Sequence, residues 1–478
     1  MSHYDIIVIG SGFGSLFFLK HYLDTTEHGR VALVEWGDDR PPEQQRMDRR
    51  SSTIASTDCH QEIGSKAWRY TIGLGGGTNC WWGQTPRFLP NDFRMKSEYG
   101  VLEDWPFDYD ALEPYYLHAE KIMQISGSDS ISKVAPRSGA FPLPPHRLST
   151  PDRIMMAAMP ETYFPVATAR ASRATSTRNR CCASAVCGLC PVNAKFDAYN
   201  GFGDVFQSER VDLILNAQVK EIDVQAGLAR GVVFEHGGKD QHITGDHIVL
   251  GANAIQSPAI LLRSGLDLAA TGRGLCEQLS YDVEILLQGV DNFDGSTYTA
   301  AWHYGLYDGP HRRDAAATLV QVENHMKFGL RTEFGRWRQS LPLVLHIEDA
   351  PQMRNGVSLT ASGEPLVRHV DHSDYAKAGF RHAMANLEHA FAPLPIEDIV
   401  VHGQRATEYH LQCSLRMGTD PARSVVDETG LHHQVRNIQV VGSAIFPTCP
   451  PANPSLTIAA VSLRSAHQLT RKGSECCV

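Results

Sequence analysis

Four of the 11 cysteines lie within ten consecutive residues, a spacing that could hold a metal centre. Segment 180–191 has the pattern Cys-Cys-x4-Cys-x2-Cys-Pro, with cysteines at Cys181, Cys182, Cys187 and Cys190. A Cys-x2-Cys pair followed by proline is typical of iron–sulfur ligation. Structural zinc more often takes two separated pairs, and a redox disulfide or plain buried thiols are further alternatives. We expect an iron–sulfur cluster, either [4Fe–4S] with four ligands or [3Fe–4S] with three. Because adjacent side chains point in different directions, the three would be Cys181, Cys187 and Cys190.

A second pattern with chemical meaning is the glycine-rich segment 10–15, Gly-Ser-Gly-Phe-Gly-Ser. In a dinucleotide-binding turn, the first glycine permits a tight bend and the second lets the backbone approach a pyrophosphate. The phosphate then lies at a helix N-terminus, where unpaired N–H groups and the helix dipole favour an anion. Glu35 ends the next predicted strand and can accept a hydrogen bond from a ribose hydroxyl. An acid at this position disfavours NADP but does not separate NAD from FAD.

The elements around these motifs predict an α/β protein. An apolar helix over 15–23 joins the first two strands into a βαβ unit. A later helix is expected to begin at Ser257-Pro258, and another to run over 455–469. Alternating runs between about 281 and 370 favour an antiparallel sheet with one wetter face. Buried strands are expected at residues 4–9, 31–34 and 438–441, and further strands at 211–224, 231–235 and 247–250.

Composition excludes several classes of protein. The chain has 478 residues, 42% hydrophobic and 20% charged, which is ordinary for a globular protein. Its net charge of -9 argues against nucleic acid or an anionic membrane surface as the main partner. No apolar run reaches the roughly 18 residues of a membrane-spanning helix, and the first strand starts too early for a signal peptide. The uneven cysteine spacing does not fit a secreted disulfide framework.

Five further segments resemble, in order, characteristic stretches of the glucose-methanol-choline (GMC) oxidoreductases. They are the glycine-rich stretch 73–83, the stretch 104–116 beginning Asp-Trp-Pro-Phe, the strand–turn–helix segment 250–258, the histidine-containing segment 410–427 and the C-terminal segment 446–458. The resemblance implies FAD as the cofactor. It also implies a Rossmann-like FAD-binding domain interleaved with a substrate domain that contains a large, mostly antiparallel sheet. The expected FAD-binding domain comprises 1–95, 200–280 and 405–478, and the substrate domain comprises 96–199, with cysteine loop 180–191, and 281–404.

The resemblance assigns roles to individual residues. Oxidation of an alcohol needs a hydride acceptor, which is flavin N5, and a base for the hydroxyl proton, for which imidazole is suited. His410 matches the family's catalytic base. Asn453 matches its partner position, where an amide can hold the substrate oxygen as charge develops. The residues expected to bind the cofactor are Gly10, Gly12, Phe13, Gly14, Ser15, Glu35, Gly76, Gly77, Asn79, Cys80, Trp81, Val219, Ala252, Gly442, Asn453 and Pro454.

Three positions depart from the family pattern. Cys80 stands where some sugar-oxidising relatives carry a histidine bound covalently to the flavin, so a histidyl link at that position is impossible. A cysteinyl link and a small buried residue are the two alternatives for Cys80. Gly442 replaces an aspartate common near the flavin pyrophosphate, and Asn253 replaces a glycine. Neither change is expected to disable the protein.

The cysteine loop also resembles that of the iron–sulfur-bearing glucose, gluconate and fructose dehydrogenase catalytic subunits, although it is one residue shorter before the last cysteine. This implies a dehydrogenase that oxidises a hydroxyl of a sugar, glycoside or related alcohol to a carbonyl. Electrons would leave through the cluster to an external haem protein or quinone. The alternatives are an oxygen-using oxidase with a non-redox cysteine loop, a non-redox FAD protein such as a lyase, and a subunit whose main role is docking a small partner.

Partners and location follow from the same resemblance. The resemblance implies a small partner subunit, whereas the net charge and the absence of a long apolar run, given above, argue against nucleic acid and a transmembrane segment. The expected location is the cytoplasm, or the periplasm by co-export with a partner that carries the signal.

Overall fold

Two large sheets and ten helices organise the described part of the chain. The computed structural model describes residues 2–64 and 66–475; Cys476 and Cys477, which have no predicted role, lie outside the described residues. The strands are β1 (His3–Ile9), β2 (Val31–Val34), β3 (Gln61–Ile63), β4 (Tyr163–Pro165), β5 (Val211–Ile214), β6 (Ala217–Gln225), β7 (Leu228–His236), β8 (Lys239–Leu250), β9 (Leu279–Leu287), β10 (Thr299–His303), β11 (Thr318–Glu323), β12 (Ser340–Ile347), β13 (Gly356–Leu359), β14 (Pro365–Arg368), β15 (Ile396–Gln404) and β16 (Ile438–Val440). The helices are α1 (Phe13–Thr25), α2 (Pro42–Asp48), α3 (Met95–Tyr99), α4 (Tyr109–Ile122), α5 (Thr150–Ala158), α6 (Ala198–Gly201), α7 (Gly203–Phe206), α8 (Asn253–Arg263), α9 (Asp374–Ala390) and α10 (Ser455–Glu475).

The first sheet has the Rossmann-like form that the sequence predicts. Its strand order is β5-β2-β1-β8-β7-β6, and β16 also pairs with β8. Strands β5, β2, β1, β8 and β16 run parallel, whereas β6, β7 and β8 form an antiparallel meander. All four residues of β2 are buried, as expected for a parallel strand covered on both faces. Helix α1 packs against α10, which also contacts α4.

The second sheet is antiparallel and confirms the other half of the predicted fold. Its order is β15-β9-β12-β11-β10-β4. Every residue of β11 and β12 is buried, so the centre of the sheet does not have the wetter face that its alternation suggests. Helix α9 contacts β11 and β12, and a cavity described below lies against residues of the same strands. Only the edge strand β15 is largely solvated.

Three local expectations differ from the structure. Helix α8 begins at Asn253, so Ser257-Pro258 lies inside it; the Asn253 side chain accepts from the N–H groups of Ile255 and Gln256 and caps the helix a turn earlier. The predicted strand 211–224 divides at Asn216, whose φ is +52°. Its halves, β5 and β6, are at opposite edges of the sheet. The run near Val357 belongs to a small third sheet, β13-β14-β3.

Among residues 2–64 and 66–475, no helix combines the length and apolar character needed to cross a membrane. The domain boundaries stay a prediction.

Candidate active site

A cavity of about 770 Å³ lies between the two sheets, where β1, β2 and β8 of the first sheet end. Ligands of open parallel sheets bind at this edge because the loops after the strands leave a crevice there. Fourteen of the expected cofactor residues line the cavity: Gly10, Gly12, Phe13, Gly14, Glu35, Gly76, Gly77, Cys80, Trp81, Val219, Ala252, Gly442, Asn453 and Pro454. The second sheet contributes the opposite wall. The cavity is therefore placed to hold both a dinucleotide and a small substrate.

The glycine-rich turn leaves a cradle of the shape that a pyrophosphate needs. Gly10 has a φ of +83°, and a Cβ there would lie 2.8 Å from the Gly251 carbonyl oxygen. A Cβ on Gly12 or on Gly77 would instead meet no atom within 4 Å, which leaves space beside the backbone. Helix α1 starts after Gly12 with no side-chain cap, so its first N–H groups are available to an anion. These features fit FAD.

Glu35 lines the cavity, and its carboxylate also accepts four hydrogen bonds from surrounding loops. Its Oε2 accepts from the N–H and hydroxyl of Ser11, at 3.0 and 2.7 Å. Its Oε1 accepts from the N–H groups of Gly37 and Gly73, at 2.9 and 3.1 Å. The carboxylate therefore ties the glycine-rich turn to two other loops, and its ribose contact stays a prediction.

Two expected cofactor residues lie behind the cavity wall. Ser15 is fully buried, and its hydroxyl fills the space beside Gly251. The Asn79 amide donates to the Leu74 carbonyl at 2.8 Å and so braces the glycine-rich stretch. Neither side chain lines the cavity, because each is turned toward backbone instead. Both are placed to support the cradle from outside.

His410 is on the cavity wall, held from two directions. Its backbone N–H donates to Glu277 Oε1 at 2.8 Å, and its ring Nδ1 lies 3.1 Å from Gln278 Oε1. Burial, opposed by Glu277 and reinforced by Arg405 and Lys66, lowers the pKa of His410 to about 4. The imidazole is therefore neutral near physiological pH and able to accept a proton.

Asn453 lines the same cavity as His410, so the structure brings the predicted pair together. Its side chain is 9% exposed, and its amide oxygen has no hydrogen-bond partner among the described residues. A buried polar atom without a partner is costly, and a ligand in the cavity that bonds to it would remove that cost. This favours a role for Asn453 in holding a cofactor or substrate. The catalytic roles of both residues stay predictions.

The wall opposite the cradle carries polar groups that sequence reasoning did not find. We call this set the substrate wall; it consists of Gln321, Glu323, His325, Lys327, His346, Arg405 and Glu408. Glu323 receives hydrogen bonds from Gln321 and His325, at 2.7 and 3.0 Å. Arg405 pairs with Glu408 at 2.9 Å, and burial raises the pKa of that carboxyl to about 7 although Arg405 opposes the shift. The substrate wall offers donors and acceptors side by side, as a ligand with several hydroxyl groups requires.

Aromatic residues near the cavity fall into two groups. Trp82 lines the cavity, whereas the Trp302 indole and His303 imidazole are buried in β10. The Trp302 indole donates to Gln84, which itself faces the cavity. Trp302 and His303 therefore serve packing.

The cysteine loop, residues 180–191, lies directly behind the cofactor side of the cavity. The Lys195 ammonium is buried and donates to the carbonyls of Asn79, Trp81 and Gly188. It thereby joins the loop to the stretch that carries Cys80. A Cβ on Gly188 would lie 3.5 Å from the Cys80 carbonyl oxygen, so the two backbones are in close contact.

Three of the loop's sulfurs accept N–H hydrogen bonds. Cys181 accepts from Ala183 N at 3.5 Å, Cys190 from Ala194 N at 3.2 Å, and Cys187 from the Arg170 guanidinium at 3.9 Å. The exposed Cys182 sulfur accepts no N–H hydrogen bond from the described residues, and it lies 3.3 Å from the Ser184 hydroxyl oxygen. Within residues 2–64 and 66–475, no three His, Cys, Asp or Glu side chains are gathered closely enough to hold a metal ion.

Buried cations surround the loop. Residues 162–196 contain five basic residues and no Asp or Glu. Three of the five, Arg170, Arg178 and Lys195, are buried, and none forms an ion pair among the described residues. Arg178 donates to the Ala169 and Met123 carbonyls, whereas two nitrogens of Arg170 have no hydrogen-bond partner in this part of the chain. Burial raises the pKa of the Cys187 thiol, and the Arg170 guanidinium opposes that rise.

A cavity lined by a glycine-rich dinucleotide cradle, a neutral imidazole and an amide fits a flavin-dependent oxidoreductase that acts on CH–OH groups. Residues 67–280 and 352–462 match the N- and C-terminal sequence models of the GMC oxidoreductases. The chain belongs to the GMC oxidoreductase family, which confirms the resemblance drawn from its motifs.

Two proteins of similar sequence and two of similar structure illustrate what this chain resembles. The fructose dehydrogenase large subunit of Gluconobacter japonicus is 28% identical over 83% of this chain and 80% of its own length. The 6'''-hydroxyparomomycin C oxidase of Streptomyces lividus is 27% identical over 98% and 91%. The structure of pyridoxine 4-oxidase from Mesorbium loti superposes with a TM-score of 0.67 at 15% identity, covering 98% of this chain and 99% of that one. A formate oxidase structure gives 0.69 at 12% identity, covering 99% of each chain.

Proposed function

We propose that the protein is an FAD-dependent dehydrogenase that oxidises a hydroxyl of a sugar, glycoside or related alcohol and passes the electrons to an external acceptor. The observation that carries the oxidation is a neutral His410 on the same cavity wall as Asn453. The substrate wall supports a polyhydroxylated substrate, because its groups can bond several hydroxyls at once. The relatives named for fructose and for an aminoglycoside support the same class.

The residues would divide the reaction as follows. When bound, FAD supplies the acceptor for the hydride. His410 takes the hydroxyl proton at Nε2, for which no hydrogen bond is present among the described residues, whereas Nδ1 is occupied by Gln278. Asn453 bonds the substrate oxygen while negative charge develops on it.

An iron–sulfur cluster in the cysteine loop is the second part of the proposal. Cys181, Cys187 and Cys190 would hold it: each sulfur accepts an N–H hydrogen bond, although the three side chains are not gathered around one point as the loop stands. The exposed Cys182 lacks such a donor, which favours [3Fe–4S] over [4Fe–4S]. Buried Arg170 and Lys195 would balance the negative charge of the ligands. Such a cluster would supply one-electron transfer between FAD and the acceptor.

The acceptor is proposed to be a haem protein or a quinone outside this chain. Similarity to a protein described as a large subunit supports a small partner subunit. The proposed location remains the cytoplasm, or the periplasm by co-export with that partner.

An oxygen-using oxidase is the alternative, which the aminoglycoside oxidase relative favours. The two functions differ in how the reduced flavin is reoxidised. A dehydrogenase reacts faster with a one-electron acceptor such as ferricyanide than with oxygen, and an oxidase forms hydrogen peroxide stoichiometrically. Stopped-flow reoxidation of the sugar-reduced protein against both oxidants distinguishes them.

The direct test is anaerobic bleaching of the flavin by a panel of sugars and alcohols, with iron and sulfide analysis and electron paramagnetic resonance on the same sample. Bleaching with a cluster signal is expected. No bleaching by any member would favour a non-redox FAD protein, and no iron in anaerobically purified protein would remove the cluster. Cys187→Ser should lose iron, whereas its matched control Cys182→Ser should keep it. Equal iron in both variants would contradict the ligand assignment.

A further inference from the structure

We propose that Gln278 is the positioning residue of the active site: its amide fixes the His410 ring with the proton on Nδ1 and the lone pair on Nε2. This rests on the proposed role of His410 as the base. A neutral histidine can carry its proton on either ring nitrogen, and only one of the two forms leaves Nε2 able to accept a proton from a substrate. The residue that selects the form therefore controls whether the base works.

The orientation of the Gln278 amide is set by its other contacts. Its Nε2 lies 2.8 Å from the Pro450 carbonyl oxygen and 3.2 Å from that of Ala452. Carbonyl oxygens only accept, so the NH2 group must face both of them. The amide oxygen then has to face the His410 ring, and the usual ambiguity between amide oxygen and nitrogen does not arise here.

This orientation dictates the tautomer of His410. Gln278 Oε1 lies 3.1 Å from His410 Nδ1, and an amide oxygen cannot donate. Nδ1 must therefore carry the proton. The other tautomer would place two acceptors against each other at that distance, with no hydrogen between them. The cavity-facing Nε2 is left with its lone pair.

Charged groups near the ring do not make this selection. Glu277, Lys66, Arg405 and His346 are the ionisable groups whose charges act on or respond to the ring. Glu277 Oε1 accepts from the His410 backbone N–H, and its Oε2 pairs with Lys66 at 2.5 Å. These groups hold the His410 backbone and set the electrostatic potential at its ring. Among the described residues, Gln278 alone forms a hydrogen bond with the ring.

The same amide joins the two halves of the predicted catalytic pair. The Ala452 carbonyl that Gln278 holds immediately precedes Asn453 in the chain. Gln278 lies just before β9, His410 follows β15, and Asn453 precedes α10. One side chain thus sets the position of both His410 and the loop that carries Asn453.

The test separates the two contacts of Gln278 with two variants. Gln278→Leu removes both the acceptor for His410 and the donor to the loop. Gln278→Glu keeps an acceptor for His410 but loses the donor. We expect Gln278→Leu to slow anaerobic flavin bleaching about tenfold or more at saturating substrate, with little change in the apparent substrate dissociation constant. Gln278→Glu should recover most of the rate and move the acid limb of its pH profile upward, because a carboxylate favours the protonated ring.

The readout that does not depend on activity is the 15N chemical shift of the His410 ring in FAD-bound, histidine-labelled protein, assigned by its loss in His410→Asn. The native protein should show a protonated Nδ1 and a bare Nε2, and Gln278→Leu should show a mixture of tautomers. The opposite tautomer in the native protein would overturn the proposal. So would a Gln278→Leu variant with unchanged ring shifts, or equal loss of rate in both variants, which would assign the effect to the loop. Absence of bleaching by every substrate, with the native tautomer as described, would instead count against the proposed function alone.

Discussion

The cations on the two sides of the cofactor site differ in whether they form ion pairs. On the substrate side, buried Lys66 pairs with Glu277 at 2.5 Å, and the partly buried Lys327 pairs with Asp282 at 2.7 Å. Beside the cysteine loop, buried Arg170 and Lys195 contact carbonyls, an aromatic ring and a thiol, and neither forms an ion pair among the described residues, although the charge of Asp197 acts on Lys195. Ion pairs thus neutralise the two lysines on the substrate side, whereas the two cations beside the loop have no ion-pair partner among the described residues.

The difference indicates the charge of the ligand that each side is suited to bind. A buried charge without a counter-charge is costly, so an arrangement that keeps two of them suits an anionic occupant. Thiolates holding iron and sulfide are such an occupant. A neutral sugar, by contrast, needs hydrogen bonds without net charge, which the substrate wall supplies. Under the proposed function, His410 and the cysteine loop would serve proton transfer and electron transfer in separate regions of the molecule.

The largest expected effect tests whether the two sides are independent. His410→Ala should slow anaerobic flavin bleaching by about 10²–10⁴-fold, because it removes the base that takes the hydroxyl proton. Iron content and FAD content should be unchanged, since His410 contacts neither the loop nor the cradle. Rapid-scan absorbance at saturating substrate measures the rate. Bleaching at the native rate would refute the base assignment, and loss of iron in this variant would break the separation of the two sides.

The next effect concerns stability on the paired side. Lys66→Met leaves Glu277 buried without its counter-charge and should destabilise the protein by about 3–5 kcal/mol. Although burial raises its pKa, Lys66 and the N–H donors keep the pKa of Glu277 below its usual range, so this loss should be full near neutral pH and shrink as acid protonates the carboxyl. Thermal unfolding across pH measures it. An unchanged melting temperature at neutral pH would mean that the pair contributes nothing.

On the loop side, removing a cation should have an effect whose sign depends on iron. Arg170→Met deletes a buried charge that has two nitrogens without partners, and should stabilise the iron-free protein by about 1 kcal/mol. In the iron-loaded protein the same change removes charge compensation and should lower stability and iron retention. Lys66→Met is the matched control, because it should destabilise both forms equally. Destabilisation by Arg170→Met in both forms would remove the contrast between the two sides.

These contrasts also show how far the sequence could lead. The glycine-rich turn and the cysteine loop could be singled out because each is a contiguous stretch whose spacing is typical of one kind of chemistry, whereas His410 could be singled out only through the family resemblance of its segment. Gln278 could not, since it meets a ring 132 residues away in the chain through a side chain that follows no periodicity. The misplaced start of α8 has a local cause: Asn253, at a φ of +63°, caps the helix before the Ser257-Pro258 signal is reached.

The unpaired Arg170 shows a different limit. The absence of acids from 162–196 is visible in the sequence, but a basic run is usually a solvated surface. Only the fold reveals that Arg170, Arg178 and Lys195 are buried around the cysteine loop. Burial is what turns a compositional bias into an electrostatic preference for an anion.

The smallest expected effect is the change of the flavin bleaching rate with pH, which should be close to zero. An imidazole of ordinary pKa would lose about 25-fold of its neutral form between pH 7 and pH 5. With a pKa lowered to about 4, His410 should lose only about a tenth, so the bleaching rate at saturating substrate should stay almost constant over that interval. Glu408, whose pKa is raised to about 7, ionises in the same interval, but it lies on the substrate wall and should change the substrate dissociation constant instead. A limiting rate that falls around pH 6.5 would show that burial does not hold His410 neutral in the working protein.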